Sequence, residues 1–345
     1  MRCQSCRCDE LSQRRRDTET KNIRIEPVAF ESFGVRSMCT SVKTPDVSIL
    51  IDAGASLGHR FRLLPHPKEY EALRQARTAI ARAASSAHII TVSHYHFDHY
   101  TAAWNNVDAI WTWSSRDEAE RIYSDKIVLA KDWRKDVNPS QRKRGWIFQG
   151  IIRDSSREFL VADGQSFKAG DTVISFSKPV AHGEGNTQLG WTLITTIERN
   201  GDTLVHASDI QGPVLDSTAK LLLDSLPQTL IIGGPPLYLS DYKIGQDSLS
   251  KALGNLVSLA KRIPLMILDH HLLRAENWRQ YCSPVFETAK AYEHRVLTAA
   301  EFAEHPEREL EHQRKILYDS DPPSEQFQKW LNLPEQRRGR MLPPL

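Results

Sequence analysis

A cluster of metal-binding residue types lies in the first third of the chain. Residues 93–99 read Ser-His-Tyr-His-Phe-Asp-His, which places three imidazoles and a carboxylate within six residues. Such nitrogen and oxygen donors bind Zn²⁺ and other first-row divalent ions. In an extended loop, residues two apart point to the same side, so His94 and His96 can bind one ion. A turn after them would direct Asp98 and His99 toward a second ion, and the segment therefore predicts a site for two metal ions.

The flanking segments indicate how this cluster is held. His88–Val92 is short and β-branched, which predicts a strand that runs directly into the cluster. Val47–Ile51 is a second apolar strand, and it stops at Asp52. Between them, Pro67–Ala84 has helical periodicity, with a proline suited to the first turn.

Strands and helices continue to alternate along the rest of the chain. The turn residues Asn200-Gly201-Asp202 predict a hairpin between two strands. Further strands are predicted at Ala109–Trp113, Thr172–Phe176, Leu189–Ile197, Thr203–His206, Leu230–Ile232 and Leu265–Leu268, and residues 275–330 are mostly helical by pattern. Hairpins mixed with helices favour an α+β fold of two stacked mixed β-sheets flanked by helices, an αββα sandwich, over a pure βαβ fold.

The order His-x-His-x-Asp-His after a strand resembles the signature of the metallo-β-lactamase superfamily. The likeness covers residues 23–274 and is closest to an uncharacterised branch whose members share the sequence of residues 30–37. It implies that His182 joins His94 and His96 on the first ion, and that His270 joins Asp98 and His99 on the second. It also implies that Asp209 bridges the two ions and that Asp52 supports the metal loop.

Some of these assignments have alternatives that the sequence leaves open. Asp52 could begin a turn, and Asp209 could cap a helix. His270 and His271 compete for one ligand position, and the histidine that is not a ligand could face the substrate or the core. His206 is interpreted as a strand-end packing residue.

A pair of divalent ions defines the expected chemistry. Zn²⁺ is the first expectation, with Fe or Mn as alternatives. A water that bridges two such cations loses a proton near neutral pH and becomes a hydroxide nucleophile. Asp98 is the predicted catalytic carboxylate, which aligns that nucleophile or accepts its proton, and His271 is a candidate leaving-group acid. The sequence has neither a Gly-x-Ser-x-Gly elbow nor a P-loop.

The long interval between His99 and His182 predicts an insertion at about residues 104–150. It contains a basic segment with two tryptophans, whose cations are Lys131, Arg134, Lys135, Arg142, Lys143 and Arg144. Cations beside aromatic rings are typical of anion or nucleic-acid binding. A solvated surface is the alternative interpretation. The interval from Asp209 to His270 is too short for the large domain that many nucleases of the superfamily insert there.

The composition limits the classes of protein. The net charge of +2 gives no general attraction to a polyanion. Apolar runs are too short for a transmembrane helix, and residues 1–22 contain no secretory apolar core, so we expect no membrane partner and a cytoplasmic location. Cys3, Cys6 and Cys8 lack a fourth ligand nearby, which favours a disordered N-terminal tail at residues 1–22. We expect one domain at residues 23–330 and a flexible tail at residues 331–345.

These patterns predict a dinuclear metal-dependent hydrolase. A small or medium-sized anionic molecule, with phosphoesters as one class, is the expected substrate. A hydrolase that processes nucleic acids through residues 131–144 is the alternative, and a non-catalytic metal-binding module is a third interpretation. The sequence carries no signal for an oligomeric state.

Overall fold

A computed structural model describes residues 22–103, 112, 114–185, 188–240, 244–338 and 341–345. Residues 1–21, with Cys3, Cys6 and Cys8, lie outside the described residues, as do all of Ala109–Trp113 except Thr112. In the described parts of the chain, no helix is both long and apolar enough to cross a membrane.

The first sheet is built from the amino-terminal half of the chain. Its strands, in spatial order, are β1 (Arg24–Phe30), β2 (Met38–Lys43), β3 (Ser48–Ile51), β4 (Ile89–Val92), β5 (Ile127–Ala130) and β6 (Glu158–Val161). β1, β2 and β3 are antiparallel, whereas β3 to β6 run parallel. The strands predicted before Asp52 and before the histidine cluster are therefore confirmed as the neighbours β3 and β4.

The second sheet is built from the following part of the chain. Its strands are β7 (Ser166–Ala169), β8 (Thr172–Phe176), β11 (Thr195–Arg199), β12 (Asp202–His206), β13 (Thr229–Gly233), β14 (Leu265–Asp269) and β15 (Arg295–Leu297). Strands β12 to β15 are parallel, and β7, β8, β11 and β12 are antiparallel. β9 (Val180–Ala181) pairs separately with β10 (Trp191–Thr192).

The hairpin between β11 and β12 is confirmed. Arg199 pairs with Asp202, and the two turn residues Asn200 and Gly201 have φ values of 48° and 86°. A two-residue turn with both φ values positive matches the twist of the strands. The single strand predicted at Leu189–Ile197 is wrong, because the chain leaves β10 after Thr192 and enters a different sheet at β11.

Alternating side chains assign the layers. In β3, Ile49 and Ile51 pack between the two sheets, whereas Leu50 packs on the outer face of the first sheet. In β13, Ile231 packs between the sheets, whereas Leu230 and Ile232 pack on the outer face of the second sheet. Because successive strand residues point to opposite faces, both sheets are covered on both sides. The predicted αββα sandwich is confirmed.

Helices form the two outer layers. Over the first sheet lie α1 (Pro67–Ser86), α2 (Arg116–Tyr123), α3 (Pro139–Ile152), α9 (Leu310–Ser320) and α10 (Glu325–Leu331), and over the second lie α4 (Asp216–Asp224), α5 (Gln246–Ala260), α6 (Trp278–Tyr281) and α7 (Ser283–Ala291). The short helices α8 (Ala299–Phe302) and α11 (Glu335–Arg338) and the 3₁₀ turns Glu31–Phe33, Leu237–Leu239 and His270–Arg274 complete the described elements.

The start of α1 shows why its helix begins where the sequence predicts. The His66 side chain accepts from the Lys68 amide, and the Glu69 carboxylate accepts from the His66 amide. This reciprocal cap satisfies amides that have no partner within the helix, and Pro67 occupies a position that needs no amide hydrogen.

Candidate metal centre

The predicted ligands lie where strands of both sheets end. His94–His99 follows β4, Asp209 follows β12, and His270 follows β14. The parallel arrangement within each sheet places these carboxyl-terminal ends at a common edge. His182 follows β9, and its amide donates to the Gly190 carbonyl at 3.0 Å.

A first group of donors comes from three histidines and one aspartate. One ligand atom each from His94, His96, His182 and Asp209 lies within 4.8 Å of the others. His182 Nε2 is 2.6 Å from Asp209 Oδ2. Apart from His96, which is partly exposed, these side chains are buried. Three imidazoles and a carboxylate form a donor set suited to a tetrahedral divalent ion.

A second group adjoins the first through Asp209. Ligand atoms of Asp98, His99 and His270 also lie within 4.8 Å of one another. Asp209 Oδ2 is 3.5 Å from His270 Nε2 and 4.0 Å from His99 Nε2. One carboxylate therefore contacts both groups, which is the geometry that a bridging ligand requires.

The unsatisfied atoms in this cluster fit a metal. Several buried ligand atoms have no partner in hydrogen-bond geometry among the residues that the structure describes: Nε2 of His94, His99, His182 and His270, and Oδ1 of Asp209. This holds although His182 Nε2 lies 2.6 Å from Asp209 Oδ2. Buried polar atoms are normally hydrogen-bonded, because leaving one unpaired costs about 1–3 kcal/mol. Lone pairs that converge from five side chains instead fit coordination by cations.

Asp52 supports the cluster from beneath. Its Oδ2 lies 2.8 Å from His99 Nδ1, and its carboxylate also accepts from the Ser93 amide at 2.8 Å and from the hydroxyls of Ser93 and Ser208 at 2.6 and 2.9 Å. Because a carboxylate only accepts, His99 Nδ1 carries the proton, and its Nε2 lone pair faces Asp98 and Asp209. This is the role that the resemblance implies for Asp52.

The geometry separates His270 from His271. His270 Nε2 has no hydrogen-bond partner in the described chain, whereas His271 Nε2 lies 3.0 Å from Asp209 Oδ2 in a hydrogen bond. Arg274 contacts Nδ1 of both rings, at 3.4 Å and 2.9 Å respectively, and forms a buried ion pair with Glu31 at 2.8 Å. The free nitrogen favours His270 as the ligand.

Three residues at strand ends that carry the site have strained backbone conformations. Asp52, Ser208 and His270 have φ values of 52°, 53° and 68°, in the left-handed region that residues other than glycine rarely adopt. Such conformations cost about 1–3 kcal/mol each and persist where the surroundings hold them. All three residues contact the ligand cluster or belong to it.

The electrostatics of the cluster favour a cation. Burial and the neighbouring histidines lower the pKa of His94 well below its usual value and that of His96 to about 3. Burial raises the pKa of Asp209, but the adjacent histidines outweigh it and hold that pKa well below its usual range. Burial opposes ionisation of His99, yet the carboxylates of Asp98 and Asp52 raise its pKa to about 9, so that Nε2 binds either a proton or a metal ion at neutral pH. Ionised carboxylates beside mostly neutral imidazoles leave negative charge that a divalent ion would balance.

The fold places the cations of the basic segment, residues 131–144, in different environments. Lys131 is buried, and its ammonium donates to Asp163 at 2.9 Å and to the Lys135 carbonyl at 3.0 Å. Arg134 pairs with the neighbouring Asp132 at 2.8 Å. Arg134, Lys135, Arg142 and Lys143 are exposed, and Arg144 is half-buried. Lys131 therefore does not belong to a solvent-facing patch.

Sequence reasoning missed several residues around the site. Ser93 and Ser208 directly precede the ligands His94 and Asp209, and that position in the sequence could have identified them. No such signal marks Tyr238, although its hydroxyl lies 3.2 Å from His271 Nδ1. His206 is confirmed as a packing residue, with Nε2 2.9 Å from the Met38 carbonyl.

Comparison with known proteins identifies the family. The UPF0282 protein of Methanopyrus kandleri is 40% identical over 296 residues, which cover 86% of this chain and 99% of that protein. The UPF0282 protein of Korarchaeum cryptofilum is 36% identical over 310 residues, covering 89% and 99%. The chain belongs to the UPF0282 family. No family model matches it.

Solved structures, among them that of a metallo-β-lactamase fold protein, are similar to this chain at low identity. The protein YhfI from Bacillus subtilis is 15% identical with a TM-score of 0.48, and the match covers 81% of this chain and 96% of that one. Zn²⁺-bound PqqB from Methylobacterium extorquens is 11% identical with a TM-score of 0.41, covering 76% and 85%. The UPF0282 chain has the metallo-β-lactamase fold, as its αββα layers and the order of its strand-end histidines and aspartates show.

Proposed function

We propose that this UPF0282 protein is a metal-dependent hydrolase that binds two divalent ions and acts on a small or medium-sized anionic substrate. The observation that carries the proposal is the set of buried, unpaired ligand atoms in two groups that share Asp209. His94, His96 and His182 would hold one ion, and Asp98, His99 and His270 the other. Zn²⁺ fits this donor set, and Fe or Mn would also be accommodated.

When bound, two such ions would supply Lewis acidity and a deprotonated water at neutral pH. The residues of the chain have separate tasks around that chemistry. The Asp98 side chain is 13% exposed, whereas the side chains of His99 and His270 are fully buried. Asp98 therefore lies at the open side, where its carboxylate can orient an attacking water and accept its proton.

His271 is placed to orient Asp209. Its side chain is 11% exposed, and its ring is held by Asp209, Arg274 and the Tyr238 hydroxyl. Its Nε2–H donates to the Asp209 carboxylate and its Nδ1 accepts from the Arg274 guanidinium. Because no ring N–H is left for a leaving group, this geometry favours a role in orienting Asp209 over the predicted role as leaving-group acid.

The division of the basic segment supports a small substrate over a nucleic-acid strand. Two of its cations, Lys131 and Arg134, are paired with carboxylates of the protein, and pairing of this kind reduces the charge that is free to bind phosphates.

Metal content by elemental analysis, combined with a substrate screen, tests the proposal. We expect about two divalent ions per chain in the wild type, and hydrolysis of at least one member of a panel of phosphodiester, thioester, lactone and β-lactam substrates. His182→Ala should lose one ion and the activity. His88→Ala, which removes an exposed histidine outside the cluster, is the matched control and should keep both. Wild-type protein without stoichiometric metal, or His182→Ala with unchanged metal content, would contradict the proposal.

A further inference from the structure

Helix α3 lies against both loops that carry ligands of the first group. Gly145 packs on the Tyr95 ring so closely that a Cβ there would come within 2.5 Å of it. Gln141 is buried and is 3.4 Å from both the amide and the carbonyl of Trp191, near the loop that holds His182. α3 therefore packs against the segments that carry His96 and His182.

Arg144 extends from this helix onto the histidine loop. Its guanidinium carbon is 4.0 Å from the centre of the Phe97 ring, and its Nη1 donates to the Tyr95 carbonyl at 3.3 Å. Phe97 lies between the ligands His96 and Asp98 in the chain, and all three are partly exposed. The guanidinium is thus held against the loop that carries His96 and Asp98.

Among the residues that the structure describes, no carboxylate balances the charge of Arg144. In the described chain no carboxylate lies within ion-pair distance of it, in contrast to Arg134 and Lys131, which pair with Asp132 and Asp163. The Tyr95 carbonyl accepts a single hydrogen bond, so most of the five N–H donors of the fork are left for a ligand. Stacking on a ring fixes the plane of the fork, which reduces the entropy lost when an anion binds.

We propose that Arg144 binds an oxyanion of the substrate beside the metal centre and selects for anionic substrates. This inference rests on the proposed hydrolase function and names a residue that determines its substrate class. An oxyanion held there presents the rest of the substrate to the cluster, and a neutral analogue lacks that anchor. Phosphonate and carboxylate share the chemistry that a guanidinium recognises, and the geometry around Arg144 accommodates either.

Binding of two non-hydrolysable probes to the metal-loaded protein tests the role of Arg144. Isothermal titration with phenylphosphonate and with benzoate would compare the wild type with Arg144→Met, Arg144→Lys and the control Arg142→Met, which removes an exposed cation of the same helix. We expect Arg144→Met to lower the affinity for at least one probe by about 10- to 100-fold, because a charge-assisted hydrogen bond is lost. Arg144→Lys should recover part of the affinity, and Arg142→Met should match the wild type within about twofold. The probe with the larger loss identifies the class of oxyanion.

Metal analysis and thermal unfolding of every variant keep the two proposals separate. Wild-type protein without metal would refute the proposed function. Metal-loaded wild type that binds neither probe would overturn the role of Arg144 and leave the hydrolase proposal standing. Equal affinities of the wild type and a folded, metal-loaded Arg144→Met, or an equal loss in Arg142→Met, would also overturn it.

Discussion

Two buried polar regions adjoin each other in this protein, and their hydrogen bonding differs. The first is the metal centre, where several ligand atoms have no partner among the described residues. The second, which we call the ion-pair layer, consists of the pairs Arg36–Glu311, Arg274–Glu31 and Arg314–Glu69. In the ion-pair layer each guanidinium lies 2.6–2.8 Å from its carboxylate.

The difference shows that burial and charge do not by themselves mark a functional site. Both regions hold ionisable groups away from water, but only the metal centre leaves their donor atoms unpaired. Buried charge that is fully paired has a structural explanation, whereas converging unpaired atoms call for a ligand. The regions meet at Arg274, whose Nη2 is 2.8 Å from Glu31 and 4.0 Å from Asp98 Oδ2.

The largest expected change in stability comes from the ion-pair layer. Glu69→Ala would leave the buried Arg314 guanidinium without the carboxylate that holds it at 2.6 and 2.8 Å. We expect a loss of about 3–5 kcal/mol in the free energy of unfolding, measured in urea, because the remaining charge stays buried and unpaired. The double variant Glu69→Leu/Arg314→Leu should recover most of that loss. A single-variant loss below about 1 kcal/mol would remove the contrast between the regions.

A substitution in the metal centre should reduce turnover and leave the free energy of unfolding nearly unchanged. Asp98→Ala removes the proposed proton acceptor, and we expect turnover to fall about 100-fold or more with little change in unfolding free energy. The ion held by His94, His96 and His182 should stay bound in elemental analysis. Asp224→Ala, at a mostly exposed carboxylate, is the control and should retain full turnover. Asp98→Ala with wild-type turnover would exclude Asp98 from the mechanism.

Two carboxylates near the start of α9 test the effect of pairing on a buried charge through the pH dependence of stability. Burial raises the pKa of Glu309 from its ordinary value of 4.5 to about 7, although the Trp278 hydrogen bond acts against the increase. Burial opposes ionisation of Glu311 as well, but the Arg36 and Arg274 guanidiniums lower its pKa to about 2. A guanidinium at hydrogen-bond distance decides whether burial raises the pKa of the carboxyl or the pKa falls.

The two shifts have opposite consequences for stability. Glu309 retains its proton in the folded state, so its contribution is full below pH 4.5 and is lost as the pH rises toward 7. The contribution of Glu311 is full above pH 4.5 and is lost as the pH falls toward 2. Glu309→Gln should therefore flatten the decline in unfolding free energy between pH 4.5 and 7, by about 1–2 kcal/mol after screening by solvent. Urea unfolding of the wild type and of Glu309→Gln between pH 4.5 and 7 measures this change. Parallel curves of unfolding free energy against pH would contradict the raised pKa of Glu309.

The smallest expected effect concerns strain away from both regions. Leu226 is 62% exposed and has a φ of 41°, and its side chain has no role in the metal centre. Leu226→Gly should stabilise the protein by up to about 1 kcal/mol, because glycine adopts positive φ without steric cost. Leu226→Ala keeps the strain and should show no such gain in urea unfolding. An equal gain in Leu226→Ala would point instead to removal of the exposed apolar side chain.

The local elements and the main ligands could be read from the sequence because their signals are local. The His94–His99 segment carries its four donors within six residues, and the apolar runs before it and before Asp52 are strands by composition alone. The Asn200-Gly201 turn needs only its own backbone preferences to form. Local signals also failed where the chain changes partners, since Leu189–Ile197 has strand composition but is divided between two sheets.

Tertiary structure decided which residues surround the ligands and what each one contacts. Glu31 and Arg274 are distant in the chain, and only the stacking of the two sheets brings them together behind His270 and His271. The same packing buries Lys131 against Asp163 while it leaves Arg144 beside Phe97. Sequence gives each cation the same charge, but burial and the nearest carboxylate decide whether that charge is available to a substrate.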